Sequence, residues 1–286
     1  MTVCVIGLGI MGGAYARNLL EAGQAVIGVD PLEAARHSVP GAQTHAELGA
    51  WIASCDLIVL SLVSPVVLEN VADALCAFVK PGQIIVETGT FALADKQKAQ
   101  DILARVGAVL LDCPVSGTGT QAASGDLVMM VSGPTKEVAT ARPLLEKFTR
   151  LIIEAGEFGN GSKLKFVANH AVALHNVAAA ETLNYADRLN LDRDTVFEML
   201  SRGAGQSRMS DLRMPLMMSG GYEPPSANMK MFEKDLSVIG DDIAEKGVQA
   251  PLFDAARALY ETAFEALPPT VDTAAVFEVY RKDLGR

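Results

Sequence analysis

The stretch Val3-Cys4-Val5-Ile6-Gly7-Leu8-Gly9-Ile10-Met11-Gly12 joins an apolar run to three spaced glycines and then to a helical pattern. A strand, a tight turn and a helix in that order predict a dinucleotide-binding unit. Gly7 permits the turn out of the strand, Gly9 lets the backbone approach a pyrophosphate, and Gly12 lets the helix pack closely on the sheet. The helix start then faces the phosphates with free N–H groups and the positive end of its dipole. Glycines so spaced are a weak signal alone, since any strand-turn-helix can use them. Their surroundings strengthen it. Residues 14–20 carry helical apolar spacing, Gly23 ends the helix, and Ala25-Val26-Ile27-Gly28-Val29 reads as a second buried strand ending at Asp30.

An acidic residue about 20 positions past the glycines is placed to accept hydrogen bonds from the adenosine ribose hydroxyls. Asp30 therefore argues for NAD as cofactor. The same carboxylate repels a 2′-phosphate, and no basic residue follows it until Arg36, so NADP is disfavoured. Asp30 also has a plain structural reading, as a cap for the helix after Pro31.

With 286 residues the chain is comfortable as two domains and can bury a sizeable core without disulfides. Half of it is apolar and a fifth charged, as in ordinary soluble globular proteins. The net charge of −10 counts against nucleic-acid and anionic-membrane partners, whose binding rests on basic patches. Cys4, Cys55, Cys76 and Cys113 form no Cys-x-x-Cys pair and sit mostly in apolar stretches, so reduced buried thiols and no metal site are expected. Neither a secretory leader nor a bilayer-spanning run is evident, and a cytoplasmic location is expected.

Past Asp30, short buried runs alternate with amphipathic ones, the pattern of βαβ units on a mainly parallel sheet. Strands are expected at 57–62, 83–87, 108–112, 127–131 and 151–153, with helices at 65–78, 92–106 and 134–147. Near Glu157-Phe158-Gly159-Asn160-Gly161 the rhythm changes, and an Ala-rich helical pattern runs from about 162 to 188. Beyond it only helices are evident, interrupted at 202–206, 219–225 and 267–270. The expected fold is α/β: a Rossmann-type, doubly wound, mainly parallel N-terminal domain over 1–160 and an all-α domain over 161–286. The helical part is expected to close a ligand pocket and, through its Ala-rich helix, to support a homodimer or homotetramer. In open α/β sheets ligands lie beyond the carboxyl ends of strands, which selects Gly7 to Met11, Asp30, Leu62, Val63, Ser64, 88–90 and 113–118.

Three further segments can supply chemistry. Asp112-Cys113-Pro114-Val115-Ser116-Gly117-Thr118-Gly119 is a glycine-rich turn after a strand, whose N–H groups and hydroxyls suit a carboxylate. In Gly159-Asn160-Gly161-Ser162-Lys163-Leu164-Lys165-Phe166-Val167-Ala168-Asn169, Lys165 and Asn169 are four apart and share a helix face. Phe232-Glu233-Lys234-Asp235-Leu236 places another lysine in the helical half.

Together these segments make the whole chain resemble the β-hydroxyacid dehydrogenase family, which includes 3-hydroxyisobutyrate dehydrogenases, tartronate semialdehyde reductases and, more distantly, 6-phosphogluconate dehydrogenases. The matching segments are Gly7-Leu8-Gly9-Ile10-Met11-Gly12, Asp112-Cys113-Pro114-Val115-Ser116-Gly117, Gly159 to Asn169, and Lys234-Asp235. The resemblance implies an NAD(P)-dependent oxidoreductase acting on a small carboxylate substrate. It further implies that Lys165 is the catalytic acid/base, that Ser116, Gly117 and Thr118 hold the substrate carboxylate, and that Asn169 positions substrate and lysine. Lys234 is implied to lie near cofactor and substrate, and the cofactor's other expected contacts are Gly7 to Gly12, Asp30, Leu62, Val63 and Thr90. Proton chemistry agrees, because oxidising an alcohol by hydride transfer requires a base for its hydroxyl proton. A lysine serves if burial and a neighbouring cationic nicotinamide lower its pKa.

Two departures from the family pattern stand out. Thr118 replaces a common second glycine, adding a methyl and a hydroxyl beside the expected carboxylate site, and Gly89-Thr90 replaces a common Ser-Thr pair. His170 and His175 lack accompanying carboxylates and read as packing residues, as do Met229 and Met231. The competing readings are an imine reductase-like enzyme, against which Lys165 counts, and a non-catalytic dinucleotide-binding module.

Overall fold

In the computed structural model, which describes residues 1–281, strand β1 (Thr2–Ile6) sends Val3 and Val5 into one apolar core and Cys4 and Ile6 into another. This is the period-two alternation of a strand covered on both faces. The same division recurs along β4 (Leu57–Leu60), where Leu57 and Val59 face the first core and Ile58 and Leu60 the second. Each fully buried aliphatic side chain contributes about 1.5–3 kcal/mol, so the run fixes both position and register.

The chain divides into two compact units, the first Met1–Lys165 and the second from Phe166 onward. The sheet of the first unit also contains β2 (Ala25–Val29), β3 (Gln43–His45), β5 (Ile84–Glu87), β6 (Val109–Asp112), β7 (Val115–Ser116), β8 (Val128–Ser132) and β9 (Leu151–Gly156). Its order is β3-β2-β1-β4-β5-β6-β8-β7, with β9 beside β8. Strands β1 to β6 pair in parallel, the doubly wound order 3-2-1-4-5-6. One face is covered by α1 (Ile10–Glu21), α5 (Gly119–Ala123) and α6 (Thr135–Leu145), the other by α3 (Pro65–Leu75) and α4 (Leu93–Ala104). The short α2 (Glu33–His37) follows β2 and buries no residue.

Two features depart from the sequence expectation. Strand β3 is polar and only three residues long, so it carries no apolar signal. Strand β8 runs antiparallel to β6 and β7, because the chain doubles back after Ser116 through the single turn of helix at Gly119–Ala123. An apolar run reveals burial and not direction. The helix α7 (Asn160–Arg188) begins in the first unit and supplies its last residues, Gly161 to Lys165.

The second unit continues α7 and adds α8 (Arg193–Arg202), α9 (Arg208–Ser219), α10 (Met229–Glu245), α11 (Pro251–Ala266) and α12 (Phe277–Arg281). Two breaks went unanticipated, at 189–192 and 246–250. Asn190 (φ 56°) and Gly247 (φ 64°) take the left-handed conformation there, a common way to end a helix. The core of this unit gathers Met214, Met217, Phe232, Leu236, Phe253, Tyr260 and Phe277. No helix among the described residues is long and apolar enough to cross a membrane.

Candidate active site

The glycine turn lies where the sheet changes winding direction, between the carboxyl ends of β1 and β4. Gly7 has φ 88°, and a Cβ there would stand 2.2 Å from the Ser61 carbonyl oxygen. At Gly12 it would stand 1.9 Å from the Gly7 carbonyl oxygen and 2.9 Å from the Ser61 Cβ. Both glycines are thus demanded by packing of the turn and α1 on the sheet. Gly9 differs, since a Cβ built there meets nothing within 4 Å. Packing of the protein does not require Gly9, and the open space over it leaves room for a phosphate to approach the amides. No side chain caps α1, so its first-turn N–H groups are presented as an anion site. The residues present therefore fit a dinucleotide pyrophosphate.

Asp30 is buried at the end of β2. Its Oδ2 accepts the Leu8 N–H at 2.8 Å and its Oδ1 the Leu32 N–H at 2.9 Å. The carboxylate braces the glycine turn and the loop after β2 together. It is not the cap of α2, whose N-cap is Leu32 without a side-chain bond. The Arg36 guanidinium is engaged by the carbonyl oxygens of Asp30 and Pro31 at 2.7 and 2.9 Å. Leu62 and Val63 lie in the loop after β4, with Val63 79% exposed. Thr90 is half-buried after β5, while Thr88 is buried and donates to the Leu60 carbonyl at 2.8 Å.

Ser116 ends β7, and Gly117 follows with φ 144°, a conformation that favours glycine. Thr118 proves to be the N-cap of α5: its Oγ1 accepts the Gln121 N–H at 3.4 Å, and the Gln121 Oε1 accepts the Thr118 N–H at 3.0 Å. A Cβ at Gly119 would stand 2.7 Å from the Ile10 methyl Cγ2, so the 116–119 loop lies directly against the glycine turn. Segments more than 100 residues apart in the chain are adjacent here.

The start of α7 is fixed by Asp112 and Ser162, which the sequence offered only as members of motifs, and by Ser132, which it did not single out. Asp112, unexposed at the end of β6, accepts the Ser162 N–H on Oδ2 and the Ser162 hydroxyl on Oδ1, both at 2.8 Å. Ser132 donates to the Asp112 Oδ2 at 3.1 Å and accepts the Gly161 N–H at 2.9 Å. The approach is so close that a Cβ at Gly161 would stand 2.6 and 2.7 Å from the carbonyl oxygens of Met130 and Asp112. Lys165 follows one turn along and is 9% exposed. Lys96 of α4, wholly buried, pairs with Glu87 Oε2 at 2.6 Å and with Asp112 Oδ1 at 2.7 Å. Burial pulls this ammonium towards neutrality, but the carboxylates of Glu87 and Asp112 outweigh it and hold its pKa above the ordinary lysine value. The available signal for this cluster was charge in apolar context: Glu87 ends a buried strand, and Lys96 lies on the face of α4 that carries Ala99 and Leu103.

In the second unit the Asn169 Nδ2 donates to the Asp235 Oδ2 at 2.8 Å, and the Lys234 Nζ pairs with the Asp235 Oδ1 at 3.0 Å. Asp235 was noted in the sequence only as part of a motif, yet it joins the other two. His170 stacks on Phe253 with ring centroids 5.1 Å apart. No group of three or more His, Cys, Asp or Glu among the described residues is placed to hold a metal ion.

Residues 2–156 match the family described as the NAD binding domain of 6-phosphogluconate dehydrogenase. Residues 159–280 match the family described as NAD-binding of NADP-dependent 3-hydroxyisobutyrate dehydrogenase. The chain belongs to the β-hydroxyacid dehydrogenase family. It is similar to the L-threonate dehydrogenase of Cupriavidus necator, at 32% identity over 96% of this chain and 95% of that protein. It also superposes on 3-hydroxyisobutyrate dehydrogenase from Mycobacterium tuberculosis, solved with L-serine, at a TM-score of 0.90 and 27% identity, covering 98% of this chain and 99% of the other. An imine reductase from Streptomyces aurantiacus, at TM-score 0.63 and 21% identity over 100% of both chains, shares the fold. As a family member the chain is an oxidoreductase with NAD(P)-binding domains.

Proposed function

We propose that this β-hydroxyacid dehydrogenase interconverts a small β-hydroxyacid and its semialdehyde or keto acid, with NAD preferred and Lys165 as general acid/base. The observation that carries the reading is the anchoring of α7: Asp112 ends the strand that leads to Ser116-Gly117-Thr118, and the same carboxylate fixes the helix start that carries Lys165. A proton-transfer group is thereby held by the strand that delivers the proposed carboxylate site. The L-threonate and 3-hydroxyisobutyrate dehydrogenases to which the chain is similar point to the same substrate class.

In the oxidising direction Lys165 takes the substrate hydroxyl proton on Nζ as the hydride leaves carbon; in the reducing direction its ammonium returns that proton to the oxygen. The dinucleotide, when bound, supplies the hydride acceptor or donor. Gly7, Leu8, Gly9, Ile10, Met11 and Gly12 are assigned to its pyrophosphate, Asp30 to the adenosine ribose, and Leu62, Val63, Thr90 and Lys234 to its remaining contacts. Ser116, Gly117 and Thr118 are assigned to the substrate carboxylate. Asn169, one turn beyond Lys165 on α7 and oriented by Asp235, is assigned to the substrate hydroxyl. What supports NAD is that a carboxylate at the end of β2 suits ribose hydroxyls and repels a 2′-phosphate, and that Arg36 is already bonded to two carbonyls. We further propose a cytoplasmic homo-oligomer, with the Ala-rich α7 contributing to self-association.

The test is an assay of NADH oxidation with a panel of short semialdehydes and keto acids, and of NAD reduction with 3-hydroxyisobutyrate and L-threonate. Lys165→Ala is expected to keep NADH binding while kcat falls by roughly a thousandfold, within the range of general acid–base effects. Near-normal turnover by that variant sinks the lysine assignment. Absence of turnover by the unaltered chain with every acid leaves a dinucleotide-binding module instead.

A further inference from the structure

One group of charges outside the proposed catalytic set has no exposed side-chain surface. Lys96, Glu87 and Asp112 are all buried, and three oxygens surround the Lys96 ammonium: Glu87 Oε2 at 2.6 Å, Asp112 Oδ1 at 2.7 Å and the Gly89 carbonyl at 2.7 Å. The Glu87 Oε1 accepts the Gly89 N–H at 2.6 Å, and a Cβ at Gly89 would stand 2.7 Å from it. Gly89 is therefore gripped on both its backbone groups. On the other side Asp112 passes the bonding on to Ser132, Ser162 and the amide of Gly161 through Ser132. A continuous line of bonds runs from the turn holding Thr90 to the first turn of the helix that carries Lys165.

We propose that Lys96 is a positioning residue for the dehydrogenase reaction, setting Asp112 so that the first turn of α7, and with it Lys165, is held in register with the Gly89-Thr90 turn. The proposal rests on the assignment of Lys165 and Thr90 made above. Sealing α4 onto the sheet calls for no ammonium, since apolar side chains of similar volume do so without desolvating three ions. An ammonium adds direction. Its three bonds fix the two carboxylates and one carbonyl relative to one another, whereas an apolar contact leaves them free to slide. A shift of α7 by a fraction of an ångström then moves Lys165 off its line to the substrate hydroxyl, a displacement that costs rate and not binding.

Lys96→Met alone leaves two buried carboxylates uncompensated, so the discriminating variant is Lys96→Met/Glu87→Gln, which keeps the cluster's summed charge at −1 and leaves Asp112 its serine and amide bonds. Ser162→Ala removes one of Asp112's bonds to α7 from the opposite side and spares the ions altogether. Three readouts are taken on the full chain: NADH affinity by fluorescence, kcat and KM with the most active acid of the panel, and hydrogen exchange of the peptide spanning 157–166. In the double variant, exchange of that peptide is expected to quicken about fivefold or more, with NADH affinity and KM within about threefold and kcat down about tenfold or more. Ser162→Ala is expected to move the same quantities in the same direction by smaller factors, and unchanged exchange in it overturns the Asp112–α7 link on which the proposal depends, whether or not the double variant folds. Unchanged exchange overturns the proposal. So does faster exchange with kcat unchanged, which reduces Lys96 to a structural tie. Should the unaltered chain turn over no acid, the dehydrogenase reading fails first, and the exchange measurement still reports separately whether Lys96 holds the start of α7.

Discussion

Gly9 and Gly12, which the motif assigns to pyrophosphate approach and to helix packing, meet different surroundings in the structure. A methyl at Gly12 collides with the Gly7 carbonyl 1.9 Å away, while a methyl at Gly9 meets only open space. Gly12→Ala is expected to lower stability by about 1–3 kcal/mol, the range for forced overpacking, and to weaken NADH binding with it. Gly9→Ala is expected to leave the urea midpoint nearly unchanged, within about 0.5 kcal/mol, while NADH affinity falls about tenfold or more. Parallel urea titrations and NADH fluorescence titrations of the two variants check this, and equal losses of stability would reject the distinction. The division of labour between the glycines was legible in the motif; that a side chain at Gly12 meets the Gly7 carbonyl and Ser61 while one at Gly9 meets open space was not, because that depends on what Ser61 and the α1 start do in space.

Among the elements, the second unit hangs on one carboxylate. Asp272, 1% exposed, accepts from Arg213 Nη1 on both oxygens at 2.9 Å, from the Ser226 N–H at 2.8 Å and from the Ala274 N–H at 2.9 Å. It thereby ties α9, the approach to α10 and the turn before α12. Asp272→Ala strands a buried guanidinium and is expected to cost about 3–5 kcal/mol in chemical denaturation. Sequence reading passed over Asp272 because a lone acid between Val271 and Thr273 advertises nothing; its partners arrive from 46 and 59 residues away. The helices themselves were legible, including the long α7, because each keeps its apolar period over several turns. The breaks at Asn190 and Gly247 rest on single left-handed residues, a weaker signal in sequence than the apolar period on either side.

For the whole molecule, buried acids and bases shape the pH response. Burial raises the pKa of Tyr15 and Tyr260, Tyr280 is pushed up to about 12 chiefly by burial, and Lys96 is raised by its carboxylate partners against burial. A group whose folded pKa lies above its unfolded value of about 10 contributes fully below that value and loses its contribution as pH rises through the folded one. The thiols of Cys4 and Cys113 are also held well above their ordinary value, so the urea midpoint is expected to begin falling above about pH 8.5 and to fall more steeply above about pH 10. A midpoint rising in that alkaline window contradicts the account. Cofactor linkage gives a second whole-chain check: saturation at a hundred times Kd adds about 2.7 kcal/mol, so NAD is expected to raise the melting temperature more than NADP at equal concentration. An equal or larger shift with NADP would overturn the reading of Asp30 and Arg36.

The sequence by itself determined the doubly wound sheet, the helical second half and the places where chemistry could gather, because apolar period, glycine spacing and local motifs are properties of neighbours along the chain. It also placed Asp30, Ser116, Lys165 and Lys234 in segments that could be compared with a known family. Only the tertiary structure decided that Asp30 bonds the Leu8 amide, that Thr118 caps α5, and that Lys96, Glu87, Asp112, Ser132 and Ser162 form one buried network behind the start of α7. Those contacts join residues 3 to 50 positions apart whose types carry no mutual signal in sequence. Their cost or benefit comes from desolvation and direction, and both exist only once the chain has folded around them.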